Sequence, residues 1–180
     1  MIILVDMDDV LADFDGEFYQ RWNVKHPERQ IVPPDERKCF YIKDELPKEC
    51  GPLISGINAE KGFIRSLPEI PGGIKAVNEM AEMGHQVFIC TAPLDFYENC
   101  VLEKYIWVDE HMGFGWTKKI ILTKEKAMVR GDILIDDKPK IKNEDKALWE
   151  HIFYDKPYNR EIEGKRRLTW KNWKQILTEL

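Results

Sequence analysis

The sequence lacks the features that mark several large classes of protein. Among its 180 residues are four cysteines, and no two of them have the two-residue spacing of a redox or zinc motif. The four histidines stand apart, so the sequence offers no histidine pair that would hold a metal on one helix. No block of basic residues resembles a nucleic-acid-binding surface, and the formal net charge is −5. We therefore expect a reduced, cytoplasmic protein that binds no nucleic acid polymer.

Long apolar runs are also missing. None approaches the roughly 18 residues needed to span a bilayer, and the apolar start at 1–5 lacks the basic lead of a signal peptide. We therefore expect no membrane association. Apolar residues make up 43% of the chain and charged residues 33%, which is ordinary for a globular protein. The length suits one domain, or one domain with a modest insertion.

The sequence does contain short apolar runs that alternate with helical patterns. The runs that predict strands are 2–5, 86–90, 119–122, 133–135 and 151–154. Most are rich in Val and Ile without strict alternation, which is typical of strands covered on both faces. Helical spacing of apolar residues predicts helices within 72–84, 95–113 and 170–180. This alternation predicts an α/β fold with a Rossmann-like, doubly wound parallel sheet.

The helix predicted within 95–113 has apolar residues at intervals of three to four. Its predicted buried face consists of Tyr97, Val101, Tyr105 and Val108. Gly113 follows these residues and is expected to end the helix.

One long segment, 14–71, breaks the pattern of alternating strands and helices. It has no strong strand pattern and contains the proline-rich stretch "HPERQIVPPDERKCF". A structureless loop of that length is improbable inside a compact domain. We therefore predict a small helical cap at 14–71, inserted after the first strand, and an α/β core domain made of 1–13 and 72–180.

Acidic residues follow two of the predicted strands. The first strand ends in "DMDD" and the fourth in "LIDDKP". Because ligands of open α/β sheets bind at the carboxyl ends of the strands, we expect Asp6, Asp8, Asp136 and Asp137 to converge. Clustered carboxylates repel one another, and a hard divalent cation with oxygen ligands relieves that repulsion. The pattern predicts a Mg²⁺ site, whereas a single acid at a strand end is often only a helix cap or a solvated turn residue.

Two other predicted strands are followed by residues that suit a phosphate group. Lys124 and Lys126 follow the third strand, and a cation there would offset the charge of a transferring phosphoryl group. A solvated surface position is the alternative for either lysine. Thr91 follows the second strand and is expected to open the next helix, where its hydroxyl and the following amides would face an anion.

Four motifs together resemble those of a known superfamily. In chain order they are "DMDDVLADF", "FICTAP", "ILTKEKAMV" and "ILIDDKP". They resemble the haloacid dehalogenase-like phosphohydrolases and, within them, the 5′(3′)-deoxyribonucleotidases. The stretch "FYENCVLEKYIWVDEHMG" is similar to that family as well, and the resemblance covers nearly the whole chain. It implies a Mg²⁺-dependent phosphomonoesterase acting on deoxyribonucleoside monophosphates, foremost those of uracil and thymine, and a homodimer.

The resemblance also implies a role for each residue of the predicted site. Asp6 would be the nucleophile that forms an aspartyl-phosphate and would stay ionised beside the metal. Asp8 would carry a proton, give it to the leaving oxygen, and then act as the base that activates water. Thr91 and Lys126 would hold the phosphate.

The same resemblance implies the metal ligands and the substrate pocket. Mg²⁺ would be bound by Asp6, the backbone carbonyl of Asp8 and Asp137, with Asp136 adjacent. The cap would close over the phosphate and exclude water. Its aromatic residues would form an apolar slot for base and sugar, namely Phe14, Phe40 and Tyr41. Ordinary packing inside the cap is the alternative for these aromatics.

Three positions depart from the family pattern. Asp9 stands where the family usually has glycine, and Ala92 stands where it commonly has serine. Asn58 stands where a cap aromatic beside the sugar is expected. These changes leave the phosphate chemistry intact and leave the substrate preference open. The alternatives are a related phosphatase for another small phosphate ester and, in a different class, a noncatalytic phospho-accepting receiver or binding module.

Overall fold

The computed structural model describes all 180 residues and contains one six-stranded parallel sheet. The strands are β1 (Ile2–Val5), β2 (Gln86–Thr91), β3 (Ile120–Leu122), β4 (Ile133–Asp136), β5 (Glu150–Tyr154) and β6 (Arg167–Leu168). Their order across the sheet is β3-β2-β1-β4-β5-β6, and every pair is parallel. The predicted α/β fold is confirmed. The sequence pattern missed β6, because two residues are too few to show a strand pattern.

Six helices accompany the sheet. They are α1 (Phe14–Lys25), α2 (Gly51–Asn58), α3 (Gly73–Glu82), α4 (Tyr97–Met112), α5 (Phe114–Thr117) and α6 (Trp173–Thr178). Gly113 follows α4 with a φ of 88°, a backbone conformation that glycine adopts without strain. None of the helices has both the length and the apolarity required to cross a membrane.

The segment 14–71 is helical and lacks strands of its own. It contains α1, α2 and three short 3₁₀ turns. Its buried residues Phe18, Trp22 and Phe63 belong to the same apolar cluster as Ile3 and Val5 of β1. The segment therefore packs against the sheet as part of one continuous core. Its separation from the core domain at 13/14 and 71/72 stays a prediction.

The buried face of α4 differs from the one that its apolar residues predict. Tyr97 is 61% exposed and Tyr105 is 37% exposed. Val108 is buried as predicted, and the side that faces the protein also includes Glu103, Lys104 and Trp107. The prediction was wrong for the two tyrosines and missed the charged residues because it counted only apolar residues. A charged side chain can be buried when it has a specific partner, and both Glu103 and Lys104 have one.

The sheet topology creates a crevice at the carboxyl end of β1. The chain runs from β1 to β2 on one side and later returns to β4 on the other side, so the connections diverge at β1. A tight turn follows at once, in which the N–H groups of Leu11 and Ala12 donate to the Met7 carbonyl at 2.8 and 2.9 Å. Asp8 and Asp9 of the first motif lie in this turn, and Asp6 directly precedes it.

Candidate active site

Three carboxylates and a lysine meet where β1 and β4 end. Carboxylate oxygens of Asp6, Asp136 and Asp137 all lie within 4.8 Å of one another. Lys126 Nζ lies 2.8 Å from Asp6 Oδ1 and donates to Asp136 Oδ2 at 2.6 Å. All four residues are almost completely buried. The structure thus brings together three of the four acids that the sequence predicts to converge, and it places Lys126 among them. The carboxylate of Asp8, the fourth, is not part of this cluster. Lys124, the other candidate lysine, is exposed and pairs with Asp95.

This cluster is electrostatically unfavourable for the acids. Burial raises the pKa of Asp6 to about 6, with a contribution from Asp136, while Lys126 opposes the rise. Burial also raises the pKa of Asp137 well above its usual value, and repulsion by Asp136 adds to the effect. For Lys126, burial lowers the pKa, but the charges of Asp136 and Asp6 outweigh burial and raise it. A further positive charge at the cluster would favour the ionised forms of Asp6 and Asp137.

The oxygens of the cluster fit a hard divalent cation. Asp6 Oδ1 is buried and makes no well-aligned hydrogen bond, although Lys126 Nζ lies close to it. One oxygen of Asp137 accepts from the Tyr158 hydroxyl, and no hydrogen bond within the chain reaches the other. No backbone hydrogen bond ends on the carbonyl oxygen of Asp8. These are oxygen donors of the kind that Mg²⁺ prefers.

Asp136 and Asp137 differ in how many of their oxygens are free. Asp136 Oδ2 accepts from Lys126 Nζ at 2.6 Å, and its Oδ1 accepts from the backbone N–H of Lys138 at 2.9 Å. Both oxygens of Asp136 are therefore engaged, whereas Asp137 keeps one available. This difference favours Asp137 as the direct metal ligand and Asp136 as the residue that holds Lys126 in place.

Asp8 has surroundings that the sequence analysis did not predict. Lys104 Nζ, on α4, lies 2.6 Å from Asp8 Oδ1 and 2.7 Å from Asp8 Oδ2. The same ammonium group donates to the Thr91 hydroxyl oxygen at 3.1 Å. The only sequence signal for Lys104 was its position inside the family-like stretch "VLEKYIWV". The expectation that Asp8 carries a proton stays a prediction.

The local position of Thr91 differs from the expected one. Thr91 is the last residue of β2 and does not open a helix, because α4 begins only at Tyr97. Pro93 disfavours helical geometry in the preceding residue, Ala92, so no helix opens directly after Thr91. Thr91 is nevertheless buried beside Lys104, at the carboxyl end of the strand next to β1. It presents one hydroxyl to the site without the amides of a helix N-terminus.

Two of the three predicted pocket aromatics contact side chains that neighbour the acid cluster. Phe40 packs edge-on against Tyr158, whose hydroxyl donates to Asp137, with the ring centroids 5.6 Å apart. Lys138 Nζ lies 5.4 Å from the ring centroid of Phe40 and 5.6 Å from that of Tyr41.

Phe14, the third predicted pocket aromatic, has a different contact. Its ring packs edge-on against Phe63, with the centroids 5.0 Å apart, which is consistent with packing inside the cap. Asn58 ends α2 and has a buried Oδ1 without a hydrogen-bond partner.

Asp9 joins the turn after β1 to the start of the cap. Its φ is +57°, in the left-handed region that aspartate tolerates better than most residues. Asp9 Oδ1 accepts from the backbone N–H of Asp15, in the first turn of α1, at 3.1 Å and from Lys156 Nζ at 3.1 Å. Asp15 forms a buried ion pair with Arg37, which also donates to the Phe40 carbonyl at 2.5 Å. These contacts connect the turn to the loop that carries Phe40, and sequence reasoning identified neither Lys156 nor Arg37.

Comparisons with known proteins show which family the chain belongs to. The chain matches the family described as "5' nucleotidase, deoxy (Pyrimidine), cytosolic type C protein" over residues 1–179. It is 38% identical to the human cytosolic 5′(3′)-deoxyribonucleotidase, covering 97% of this chain and 92% of that protein. It is 35% identical to the human mitochondrial 5′(3′)-deoxyribonucleotidase, covering 97% and 81%. A Bordetella pertussis protein provisionally described as a 5′(3′)-deoxyribonucleotidase is 45% identical, covering 98% and 95%.

Solved structures show the same fold. One is a haloacid dehalogenase family hydrolase from Deinococcus radiodurans R1 with bound phosphate and sodium, with a TM-score of 0.63 and 13% identity over 99% of this chain and 95% of that one. Another is a haloacid dehalogenase-type hydrolase from Bacillus subtilis bound to magnesium, with a TM-score of 0.61 and 13% identity over 98% of both chains. With its motifs at the strand ends of this fold, which it shares with haloacid dehalogenase-like hydrolases, the chain belongs to the 5′(3′)-deoxyribonucleotidase family.

Proposed function

We propose that this protein is a 5′(3′)-deoxyribonucleotidase, a phosphomonoesterase that releases inorganic phosphate from deoxyribonucleoside monophosphates. The observation that carries the proposal is the arrangement of Asp6, Lys126, Asp136 and Asp137 at the end of β1, in a chain of this family. The 5′ and 3′ monophosphates of deoxyuridine and thymidine are the substrates that we would test first.

The reaction proceeds in two steps through Asp6. A carboxylate oxygen of Asp6 attacks the phosphorus atom, the bond from phosphorus to the ester oxygen breaks, and Asp8 gives its proton to the leaving sugar oxygen. Water then attacks the phosphorus of the aspartyl-phosphate, and Asp8 takes a proton from that water. The bond from phosphorus to the Asp6 oxygen breaks, which releases inorganic phosphate and restores Asp6.

The remaining residues of the site hold the phosphate and the metal. Lys126 and Thr91 would neutralise and bind phosphate oxygens, since the Lys126 ammonium already lies 2.8 Å from the attacking carboxylate of Asp6. Asp6, the Asp8 carbonyl and Asp137 would bind Mg²⁺. When bound, this ion supplies positive charge that keeps Asp6 ionised and offsets the charge of the phosphoryl group.

The cap is proposed to provide the substrate pocket. Phe40 packs against Tyr158, whose hydroxyl donates to Asp137, and Lys138 lies over the rings of both Phe40 and Tyr41. These contacts support a pocket in which a nucleoside attached to the phosphate would meet the two rings. Phe14 is kept in the proposed pocket from the sequence resemblance alone. Closure of 14–71 over the phosphate would exclude water from the first step.

The decisive experiment is a phosphate-release assay on the purified protein, with and without Mg²⁺. The substrates are the 5′ and 3′ monophosphates of deoxyribonucleosides, the corresponding ribonucleotides and small sugar phosphates. An Asp6→Asn preparation purified in parallel controls for contaminating phosphatases. We expect Mg²⁺-dependent release from deoxyribonucleotides. Release only from sugar phosphates would favour the related-phosphatase alternative, and no release from any nucleotide would refute the proposal.

Two further expectations accompany the proposed activity. We propose a cytoplasmic location and a homodimer. The human relatives include one described as cytosolic and one described as mitochondrial, and the four cysteines of this chain are all free thiols. Sedimentation of the purified protein would test the dimer.

A further inference from the structure

The inward face of α4 makes a row of polar contacts with the segment 59–67, which follows α2 in the C-terminal part of 14–71. The row consists of Asn99, Glu103 and Trp107, which are spaced four residues apart and so lie on one side of the helix. Asn99 and Trp107 donate to backbone carbonyls of the segment at 3.2 and 2.8 Å. Glu103 accepts three of its backbone N–H groups at 2.5, 3.1 and 3.3 Å. These contacts fix where α4 lies.

Lys104 lies beside this row and projects toward the ends of β1 and β2. Its side chain is completely buried, and its ammonium group contacts both carboxylate oxygens of Asp8 and the hydroxyl oxygen of Thr91. The three N–H groups of this ammonium thus have three oxygen acceptors within the chain, which leaves none for a substrate in the crevice. Lys104 therefore differs from Lys126, and any influence of Lys104 on the reaction passes through Asp8 and Thr91.

We propose that Lys104 is a positioning residue for the reaction, and that its ammonium group sets the orientation of the Asp8 carboxylate and the Thr91 hydroxyl relative to each other. The proposal rests on the proposed function, because it assigns the proton transfer to Asp8 and phosphate binding to Thr91.

Three features of the geometry support this role. Contacts to both oxygens of Asp8 restrict the rotation of the carboxylate as well as its position. The Thr91 oxygen accepts from Lys104, so the hydroxyl proton is directed away from Lys104 and is available to a phosphate oxygen. The Asp8 side chain keeps 21% exposure while Lys104 has none, so one side of the carboxylate faces the crevice while the other is held.

The competing explanation is that Lys104 only neutralises a buried carboxylate and stabilises the fold. The two explanations differ in how the activity depends on the leaving group. An alkoxide such as the deoxyribose oxygen needs a proton as it leaves, whereas p-nitrophenolate, a weak base, leaves without one. A misplaced Asp8 therefore slows cleavage of a nucleotide selectively, and a general loss of stability slows cleavage of both substrates equally.

The experiment compares Lys104→Met with a matched control, Glu103→Gln, which changes the neighbouring buried charge on the same helix. The quantity measured is kcat/KM for deoxyuridine 5′-monophosphate divided by kcat/KM for p-nitrophenyl phosphate, because kcat/KM reports the first phosphoryl transfer for each substrate. For Lys104→Met we expect this ratio to fall by about 10²-fold. For Glu103→Gln we expect it to stay within about threefold of the wild-type ratio, whatever happens to stability.

Further variants keep the test decisive. Adding Lys104→Met to Asp8→Asn is expected to lower the ratio no further. The ratio depends on Asp8 as the proton donor, and Asp8→Asn has already removed that donor. If Lys104→Met does not fold, Lys104→Gln, which keeps a donor without the charge, is judged by the same ratio. A folded Lys104 variant with an unchanged ratio would overturn the inference. A wild-type protein that hydrolyses p-nitrophenyl phosphate but no nucleotide would instead overturn the proposed function.

Discussion

Asp6 and Asp8, which follow β1, are only two residues apart, yet the structure gives them opposite electrostatic surroundings. Asp6 lies among an excess of negative charge, with Asp136 and Asp137 nearby and a single lysine, Lys126, to offset it. Asp8 has one carboxylate partnered by one ammonium group, that of Lys104. A surplus of carboxylates suits metal binding, and a single carboxylate held in place suits proton transfer. Differences of this kind are how one site assigns distinct roles to like residues.

The largest expected effect comes from removing the nucleophile on the Asp6 side. Asp6→Asn is expected to lower phosphate release by at least about 10⁴-fold for every substrate, because the amide cannot form the aspartyl-phosphate. The fold is expected to persist, since burial and neighbouring acids already disfavour the charge of Asp6. Phosphate release and thermal unfolding in a chelator are the measurements, and retained turnover would remove Asp6 as the nucleophile.

Removing the carboxylate of Asp8 should affect substrates with a strongly basic leaving group more than others. Asp8→Asn is expected to lower kcat/KM for deoxyuridine 5′-monophosphate by about 10²–10⁴-fold, the usual contribution of a proton donor. Its effect on p-nitrophenyl phosphate should be much smaller, because that leaving group needs no proton. Equal losses for both substrates would contradict the division of roles between Asp6 and Asp8.

Stabilisation by Mg²⁺ should depend on the residues around Asp6 and not on the side chain of Asp8. Mg²⁺ at about 100 times its Kd is expected to stabilise the wild-type protein by about 2.7 kcal/mol, because it binds only the folded cluster. Asp137→Asn should shift this response to much higher Mg²⁺ concentrations, whereas Asp8→Asn should keep it, since Asp8 contributes only its backbone carbonyl. Thermal unfolding across a Mg²⁺ titration measures the response. A loss of the Mg²⁺ response in Asp8→Asn but not in Asp137→Asn would contradict the assignment of the metal to the cluster around Asp6.

The smallest expected effect concerns Asp9, which stands where the family usually has glycine. Asp9→Gly removes the acceptor for the Asp15 N–H and for Lys156, a loss of about 1.5–3 kcal/mol for a charged hydrogen bond. Glycine also relieves the strain at φ +57°, so we expect a net loss of about 1 kcal/mol in the free energy of unfolding. Urea unfolding measures it, with Asp9→Asn as the control that keeps an acceptor. A more stable Asp9→Gly protein would show that Asp9 does not brace the cap.

The residues that meet at the end of β1 as the sequence predicted have a common property. Asp6 follows β1, Asp136 ends β4 and Lys126 follows β3, so the order of motifs along the chain places them at one edge of the parallel sheet. No comparable rule reaches Lys104 or Tyr158. Lys104 lies within a helix whose apolar residues suggested another buried face, and Tyr158 lies in a short 3₁₀ turn after β5. Their contacts depend on how those elements pack, which residue spacing alone does not specify.

The sequence by itself determined the class of fold, the family and the group of acids, because strand periodicity and motif order are local properties of the chain. The tertiary structure alone decided which oxygens of Asp136 and Asp137 are free and that Asp8 is held by a buried lysine. It also explained Asp9, whose carboxylate joins the turn after β1 to α1 and to Lys156. The physical reason is that a side chain's charge and hydrogen bonds depend on neighbours brought close only by packing, here up to 147 residues away along the chain.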